Sequence, residues 1–278
     1  MAKNTAACIG LAAVHALAES PGGDPVLIVL PADHAIKDDA RLRAALSEAV
    51  ERARAAEALV TIGIPPTRPH TGYGYIKKGK ALGGRSFTIE RFFEKPSLER
   101  AQKYLDAGGY CWNSGMFVWR ASVILEAFRK YLPQMAEGLD EIRVILESPG
   151  AQEKEARVHE IFSNFESISI DFGVLEHAKN CAVVDAEEFG WNDVGSWDQW
   201  AENFQRDSDG NLVKGQAVVI DSKGCVIRSA DRVVAAVGLQ EVIIIDSGDA
   251  LLVVSHEHVQ EVRKVVEELK KRGRTDLV

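Results

Sequence analysis

The sequence predicts an α/β domain followed by a small β-rich appendage. Three observations carry that prediction. Between Val26 and Ile64 an apolar run, a long amphipathic stretch and a second apolar run follow one another, the order of a strand–helix–strand unit. Strand-like and helical stretches go on alternating to about Phe204. Beyond Asp207-Ser208-Asp209-Gly210 the texture changes to short apolar runs separated by turns, with starts recurring every eight or nine residues. The expected domains are 1–207 and 208–278.

The first element is a helix from Asn4 or Thr5, either of which can cap it, to about Leu17. Ser20-Pro21-Gly22-Gly23 breaks it. Val26 to Leu30 is continuously apolar and predicts a strand buried on both faces. Asp38 to Ala58 predicts a helix, because Leu42, Leu46, Ala49, Val50 and Ala53 recur at helical spacing. Leu59 to Ile64 is the next strand, and the unit implies a parallel sheet. Tyr75-Ile76 and Phe87 to Phe93 follow as strands, and Ser97 caps a helix to about Ala107. Met116 to Trp119 is a short strand, preceded by a turn at Trp112-Asn113-Ser114-Gly115. Ser122 to Phe162 is helical with polar breaks, Cys181 to Val184 is a strand and Trp197 to Phe204 a helix.

In the appendage the apolar runs are 217–220, 225–227, 233–237, 242–245 and 251–254. Their spacing fits a β-solenoid or a β-sandwich. A final amphipathic helix spans about Glu257 to Lys271, with Ser255 as its cap.

Composition narrows the function. The net charge of −8 disfavours a nucleic-acid backbone as partner. No apolar run reaches the length of a membrane span, and no secretory signal opens the chain. The four cysteines are scattered without a C-x-x-C, which fits single buried thiols in a reducing cytoplasm.

Two aspartates follow apolar runs far apart in the chain: Asp33 in Pro31-Ala32-Asp33-His34, and Asp193 in Trp191-Asn192-Asp193-Val194-Gly195. At strand ends of one sheet they would suit a divalent cation and a phosphate-bearing substrate. Asp33 could equally cap the next helix, and Asp193 could be a turn residue. Gly74, between Tyr73 and Tyr75, allows close backbone approach or simply a hairpin turn. Glu94 and Lys95 offer a carboxylate for sugar hydroxyls and an ammonium for a phosphate, or a surface ion pair. Asn113 and Gly115 suit a polyol or a turn; Asp171 could cap the segment Phe172 to Ala178. His256 and His258 lack a third partner and read as solvent-exposed residues in the first turn of the last helix.

In order along the chain, Lys3-Asn4-Thr5-Ala6, Pro31-Ala32-Asp33-His34, Thr71-Gly72-Tyr73-Gly74-Tyr75-Ile76, Phe93-Glu94-Lys95-Pro96, Trp112-Asn113-Ser114-Gly115-Met116-Phe117, Ser169-Ile170-Asp171 and Trp191-Asn192-Asp193-Val194-Gly195-Ser196-Trp197 resemble the bacterial mannose-1-phosphate guanylyltransferases. Asp231-Arg232-Val233-Val234-Ala235 resembles part of that family's left-handed β-helix. The resemblance implies a nucleotide-diphospho-sugar transferase-like (Rossmann-like) mixed sheet with a small β-helix and terminal helix. It implies a cytoplasmic, homodimeric enzyme that makes GDP-mannose and pyrophosphate from mannose 1-phosphate and GTP with Mg²⁺. Asp33 and Asp193 would hold the metal, and Asn4 and Thr5 would lie near the guanine. Gly74, Glu94, Lys95, Asn113, Gly115 and Asp171 would surround the sugar phosphate, with Lys95 reducing repulsion between the anionic substrates.

The family's glycine-rich triphosphate loop has no counterpart in these residues, and Lys3 stands where an Arg is usual. That difference motivates a second expectation, a non-catalytic sugar-phosphate-binding or assembly fragment. The family's long β-rich extension after the last helix is likewise not seen, so phosphomannose isomerase activity is not implied. A metal-dependent phosphohydrolase is the third reading, disfavoured because no water-activating base or dense acid cluster is evident.

Overall fold

The computed structural model describes residues 3–148 and 154–277. The chain forms two compact units, Met1–Ala32 with Ile36–Trp191, and Asp33–Ala35 with Asn192–Val278. The first unit opens with α1 (Asn4–Ala18), β1 (Val26–Val29), α2 (Asp39–Ala55), β2 (Leu59–Ile64), β3 (Tyr75–Gly83), β4 (Ser86–Phe93) and α3 (Leu98–Ala107). It continues with β5 (Tyr110–Arg120), α4 (Ala121–Tyr131), α5 (Pro133–Glu147), α6 (Lys154–Ser163), a π-helical turn (Asp171–Leu175) and β6 (Cys181–Asp185).

The strands form one sheet in the order β1-β5-β2-β6-β4-β3. Only β2 and β6 are parallel neighbours; the other pairings are antiparallel. The parallel sheet expected from the strand–helix–strand unit is therefore corrected to a mixed one. β1 and β2 do run in the same direction, but β5 lies between them and pairs antiparallel with both. A unit read locally cannot reveal a strand inserted from far downstream.

Alternation along β5 assigns its side chains to two layers. Phe117 and Trp119 join the cluster built with Ile9, Val14, Phe128 and Leu139 of α1, α4 and α5. Met116 and Val118 join Ala45, Ala49 and Ala53 of α2 with Val60 and Ile62. The small residues of α2 let that helix lie close to the sheet. α1 meets α5 just as closely: a Cβ on Gly10 would stand 2.6 Å from Leu139 Cδ1.

Several local expectations change. β1 is an edge strand rather than one buried on both faces, with Ile28 47% and Leu30 46% exposed. Lys3 occupies the cap position of α1 without a side-chain bond, so neither Asn4 nor Thr5 caps it. Asp38, not Asp33, caps α2, accepting from the amides of Ala40 and Arg41. Trp112 to Gly115 lies inside β5, not in a turn before it. Cys8 is exposed, whereas Cys111, Cys181 and Cys225 are buried. Burial pushes the Cys181 thiol up to about 12.

The second unit carries α7 (Trp197–Ala201), β7 (Leu212–Lys214), β8 (Ala217–Ile220), β9 (Val226–Arg228), β10 (Val234–Val237), β11 (Val242–Asp246), β12 (Leu251–Ser255) and α8 (Val262–Lys271). β7, β9 and β11 stack in parallel, with β12 antiparallel at the edge; β8 and β10 stack in parallel beside them. Parallel stacking of successive coils makes this a β-helix and removes the sandwich alternative. Inside it sit Cys225, Ile227, Ala236 and Ile244. Trp197, Trp200 and Phe204 pack with Leu212, Val226 and Ile243, which draws α7 into the second unit ahead of the change in texture at Asp207. The last helical stretch opens as a 3₁₀ segment, His256–Glu261, with Ser255 at its cap position but no side-chain cap bond; the Ser255 hydroxyl instead meets His258 Nδ1 at 2.8 Å.

Candidate active site

Both aspartates singled out at strand ends fall in the second unit. An isolated antiparallel bridge joins Ala35 to Asn192, with Ala35 N–H donating to Asn192 O (2.8 Å) and Asn192 N–H donating back (3.0 Å). The bridge brings the segments that carry Asp33-His34 and Asp193 side by side. Both carboxylates act on His34, whose pKa is nevertheless lowered because burial outweighs them. Asp33 caps no helix, so its helix-capping alternative fails.

Asp193 is held by its own loop. Its Oδ1 accepts from Gln199 Nε2 (2.8 Å) and Gly195 N–H (3.3 Å). Asn192 Oδ1 accepts from Val194 N–H (2.7 Å), closing an Asx turn. Val194 has φ +51°, a left-handed conformation that a β-branched residue adopts only under constraint. The sequence showed the Asn-Asp-x-Gly turn but gave no sign of Gln199, which reaches back from α7.

The residues expected around the sugar phosphate fall in the first unit. Asn113 is placed by a bulge: Thr61 pairs with Phe117 and Gly63 with Asn113, so β5 spends more residues than β2 across this step. Gly115 within the bulge has φ +69°. Asn113 Nδ2 donates to Asp171 Oδ1 (2.8 Å). Its Oδ1 accepts from Gly115 N–H (3.3 Å) and lies 3.2 Å from the Thr61 hydroxyl, which also reaches Met116 O (3.1 Å). These partners fix the orientation of the amide. Asn113 N–H donates to Gly74 O (2.9 Å), and a Cβ on Gly74 would lie 2.8 Å from Glu94 Oε2. Gly74 thus makes room for the Glu94 carboxylate.

Asp171 opens the π-helical turn, a rare geometry that occurs frequently at functional sites. Burial raises its pKa; the Asn113 hydrogen bond opposes this and the Glu94 charge adds to it. Lys95 has φ +42° and places Nζ 3.4 Å from Glu94 Oε1, so the surface ion pair weighed as its alternative role is present. Thr5 Oγ1 accepts from Ile170 N–H (2.9 Å), tying α1 to the residue before Asp171. Asn4, at φ +63°, accepts Thr5 N–H on Oδ1 (2.8 Å). Thr61 was missed in the sequence because it sits in an otherwise apolar strand. A lone hydroxyl there was the available signal.

The donor chemistry around Asp33 and Asp193 fits Mg²⁺, which takes one or two carboxylates and fills its octahedron with phosphate and water. No group of three or more His, Cys, Asp or Glu suited to a metal occurs among the described residues. No helix among them is long and apolar enough to cross a membrane.

Comparison with known proteins places this arrangement. The family described as nucleotidyl transferase matches residues 1–210, and the MannoseP isomerase/GMP-like beta-helix domain matches residues 215–269. The xanthan biosynthesis protein XanB of Xanthomonas campestris is 41% identical over 275 residues, 99% of this chain and 57% of that protein. Mannose-1-phosphate guanylyltransferase of Escherichia coli K12 is 38% identical over 277 residues, 98% of this chain and 57% of that protein. The chain thus spans less than two thirds of the length of these relatives. A crystal structure from Thermus thermophilus, titled mannose-1-phosphate geranyltransferase, superposes with a TM-score of 0.82 at 36% identity, covering 97% of this chain and 76% of that one. With the mixed sheet and the β-helix both matched, the chain belongs to the mannose-1-phosphate guanylyltransferase family of nucleotidyl transferases.

Proposed function

We propose that the protein makes GDP-mannose and pyrophosphate from mannose 1-phosphate and GTP. The observation that supports this best is the polar lattice of Gly74, Glu94, Asn113 and Asp171, in which the half-buried amide of Asn113 holds the Asp171 carboxylate and Gly74 makes room for that of Glu94. A phosphate oxygen of the sugar phosphate attacks the α-phosphorus of GTP. The bond from that phosphorus to the bridging oxygen breaks, and pyrophosphate leaves with the electron pair. The nucleophile is already an anion, so no general base is required, and catalysis rests on positioning and charge neutralisation.

Each residue has a role under this reading. Glu94 and Asp171 accept hydrogen bonds from mannose hydroxyls, and Asn113 holds Asp171 while its second amide hydrogen remains able to donate to the sugar. Lys95 turns from Glu94 to the phosphate, reducing anion–anion repulsion. Asn4 and Thr5 serve the guanine side. Asp33 and Asp193 hold Mg²⁺, which when bound neutralises charge on the phosphates. The same reading makes the enzyme a cytoplasmic homodimer, a state light scattering measures.

Phosphate analysis tests the proposal. With mannose 1-phosphate, GTP and Mg²⁺ the protein is expected to release pyrophosphate, and Asp193→Asn to release far less. Orthophosphate release would instead mark a phosphohydrolase. Mannose 1-phosphate binding without GTP turnover in calorimetry would mark a sugar-phosphate-binding protein.

A further inference from the structure

β2 carries one hydroxyl, to which the proposed reaction gives no role. Every residue of this strand is buried, and Thr61 is 2% exposed. Val60 and Ile62, on either side of it, pack in the layer of α2, so Thr61 points to the opposite face. Its Oγ1 lies 3.2 Å from Asn113 Oδ1 and 3.1 Å from Met116 O. Both are acceptors, so the hydroxyl acts as a donor toward them. Ser114 is the second buried hydroxyl at this bulge, and it bonds main chain alone. It donates to Ile62 O (2.7 Å) and accepts from Met116 N–H (3.1 Å). Thr61, by contrast, meets a side chain of the proposed sugar site.

We propose that Thr61 is a positioning residue for the sugar phosphate: its hydroxyl holds the Asn113 amide with the nitrogen toward Asp171, and so keeps that carboxylate ready to accept from the sugar. The inference rests on reading Asn113 and Asp171 as sugar-side groups. A side-chain amide has two orientations of nearly equal shape, and its neighbours decide between them. With Oδ1 toward Thr61 and Gly115, the nitrogen faces Asp171 Oδ1 at 2.8 Å. A carboxyl that receives an N–H is favoured in its charged form. Turned over, the amide would present its oxygen to Asp171, a pairing that suits only the protonated acid. Without the Thr61 hydroxyl, Gly115 N–H (3.3 Å) is the donor left to Oδ1 among the described residues.

The charges around Asp171 make that hold consequential. Burial favours its protonated form, and the carboxylates of Glu94 and Glu176 act in the same direction. The Asn113 hydrogen bond opposes them, together with a main-chain one within Asp171 itself. Glu94 is shared with Lys95, whose Nζ lies 3.4 Å from its Oε1. Asn113 is thus the side chain that keeps Asp171 charged against burial and two like charges, and Thr61 stands behind it. The support is rigid, because β2 lies between β5 and β6 in the sheet.

The test is calorimetric binding of mannose 1-phosphate to the whole protein over a series of pH values, with thermal unfolding alongside. The ligand's own phosphate titrates alike in every variant, so the differences between variants are what is read. Asp171→Asn is expected to weaken binding about 10-fold, the loss of a charged hydrogen bond. Thr61→Val, close in shape but without the hydroxyl, is expected to weaken it about 5-fold. It should also move the acid limb of binding to higher pH, because a turned amide favours protonated Asp171. Mere loosening of the site would hydrate Asp171 and move the limb to lower pH. Thr61→Ser is expected to restore both affinity and limb. Ser114→Ala, which breaks only main-chain bonds of the bulge, is expected to lower the melting temperature and leave the limb in place. If Thr61→Val fails to fold, Thr61→Cys, a weak donor of similar size, takes its place with the same expectations. With loss in Asp171→Asn, a limb that stays or moves to lower pH in that variant overturns the role of Thr61 and leaves the sugar-side reading standing. Binding that Asp171→Asn does not disturb, or none by the wild type, overturns the sugar-side reading and the role of Thr61 with it.

Discussion

Asp171 shows how burying a carboxylate costs stability. Its pKa lies above the ordinary value of 3.8, mainly through burial. The folded chain therefore holds this proton more tightly than the unfolded chain does, and ionising Asp171 costs stability. The cost is absent below pH 3.8, grows as pH rises through the folded-state value, and is fully present above it. Asp171→Asn is expected to raise the melting temperature at a pH of about 8, and the gain should vanish toward a pH of about 4 in thermal scans. The same variant should bind mannose 1-phosphate roughly 10-fold more weakly, the usual loss when a charged hydrogen bond goes. Gly74→Ala acts through shape: its Cβ would meet Glu94 Oε2 at 2.8 Å and displace that carboxylate. Steady-state kinetics should show a raised KM for the sugar phosphate, about 10-fold if one hydrogen bond to a charged group is lost, with a small change in melting temperature.

At the level of elements, legibility in the sequence tracked the range of the interactions responsible. β2 runs from Leu59 to Ile64 as its apolar run predicts, and α3 starts after Ser97, which accepts from Arg100 N–H (3.4 Å). Both are set by neighbours in sequence. β5 was harder to read because its first half is polar and glycine-containing, and it becomes a strand only by pairing with β3 at Tyr75–Trp112 and with β2 at Ile64–Trp112. Site residues followed the same rule. Asp33 and Asp193 stood out beside apolar runs, whereas Thr61 and Gln199 matter only through contacts across the fold. The fit of β2 against its neighbours yields a prediction. A Cβ on Gly63 would collide with Cys111 Sγ and stand 2.8 Å from Val183 Cγ2. Gly63→Ala is expected to destabilise the protein by about 1–3 kcal/mol, the usual cost of overpacking, as read from denaturant midpoints.

Across the whole molecule, the proposed residues divide by chemistry between the two units: sugar-side groups in the first, cation-side carboxylates in the second. The switch from α/β to a β-rich appendage was legible because turns recur at short intervals after Asp207, but that spacing left solenoid and sandwich open until the parallel stacking of β7, β9 and β11 decided it. That Asp33–Ala35 belongs with the second unit was not legible, because it depends on a bridge from Ala35 to the distant Asn192. Guanylyl transfer to mannose 1-phosphate is the role proposed for these residues. Pyrophosphate release by the whole protein with Mg²⁺ tests that role, comparing mannose 1-phosphate and GTP against glucose 1-phosphate and UTP. Pyrophosphate and GDP-mannose are expected from the first pair only. Turnover of the second pair, with none of the first, would contradict it.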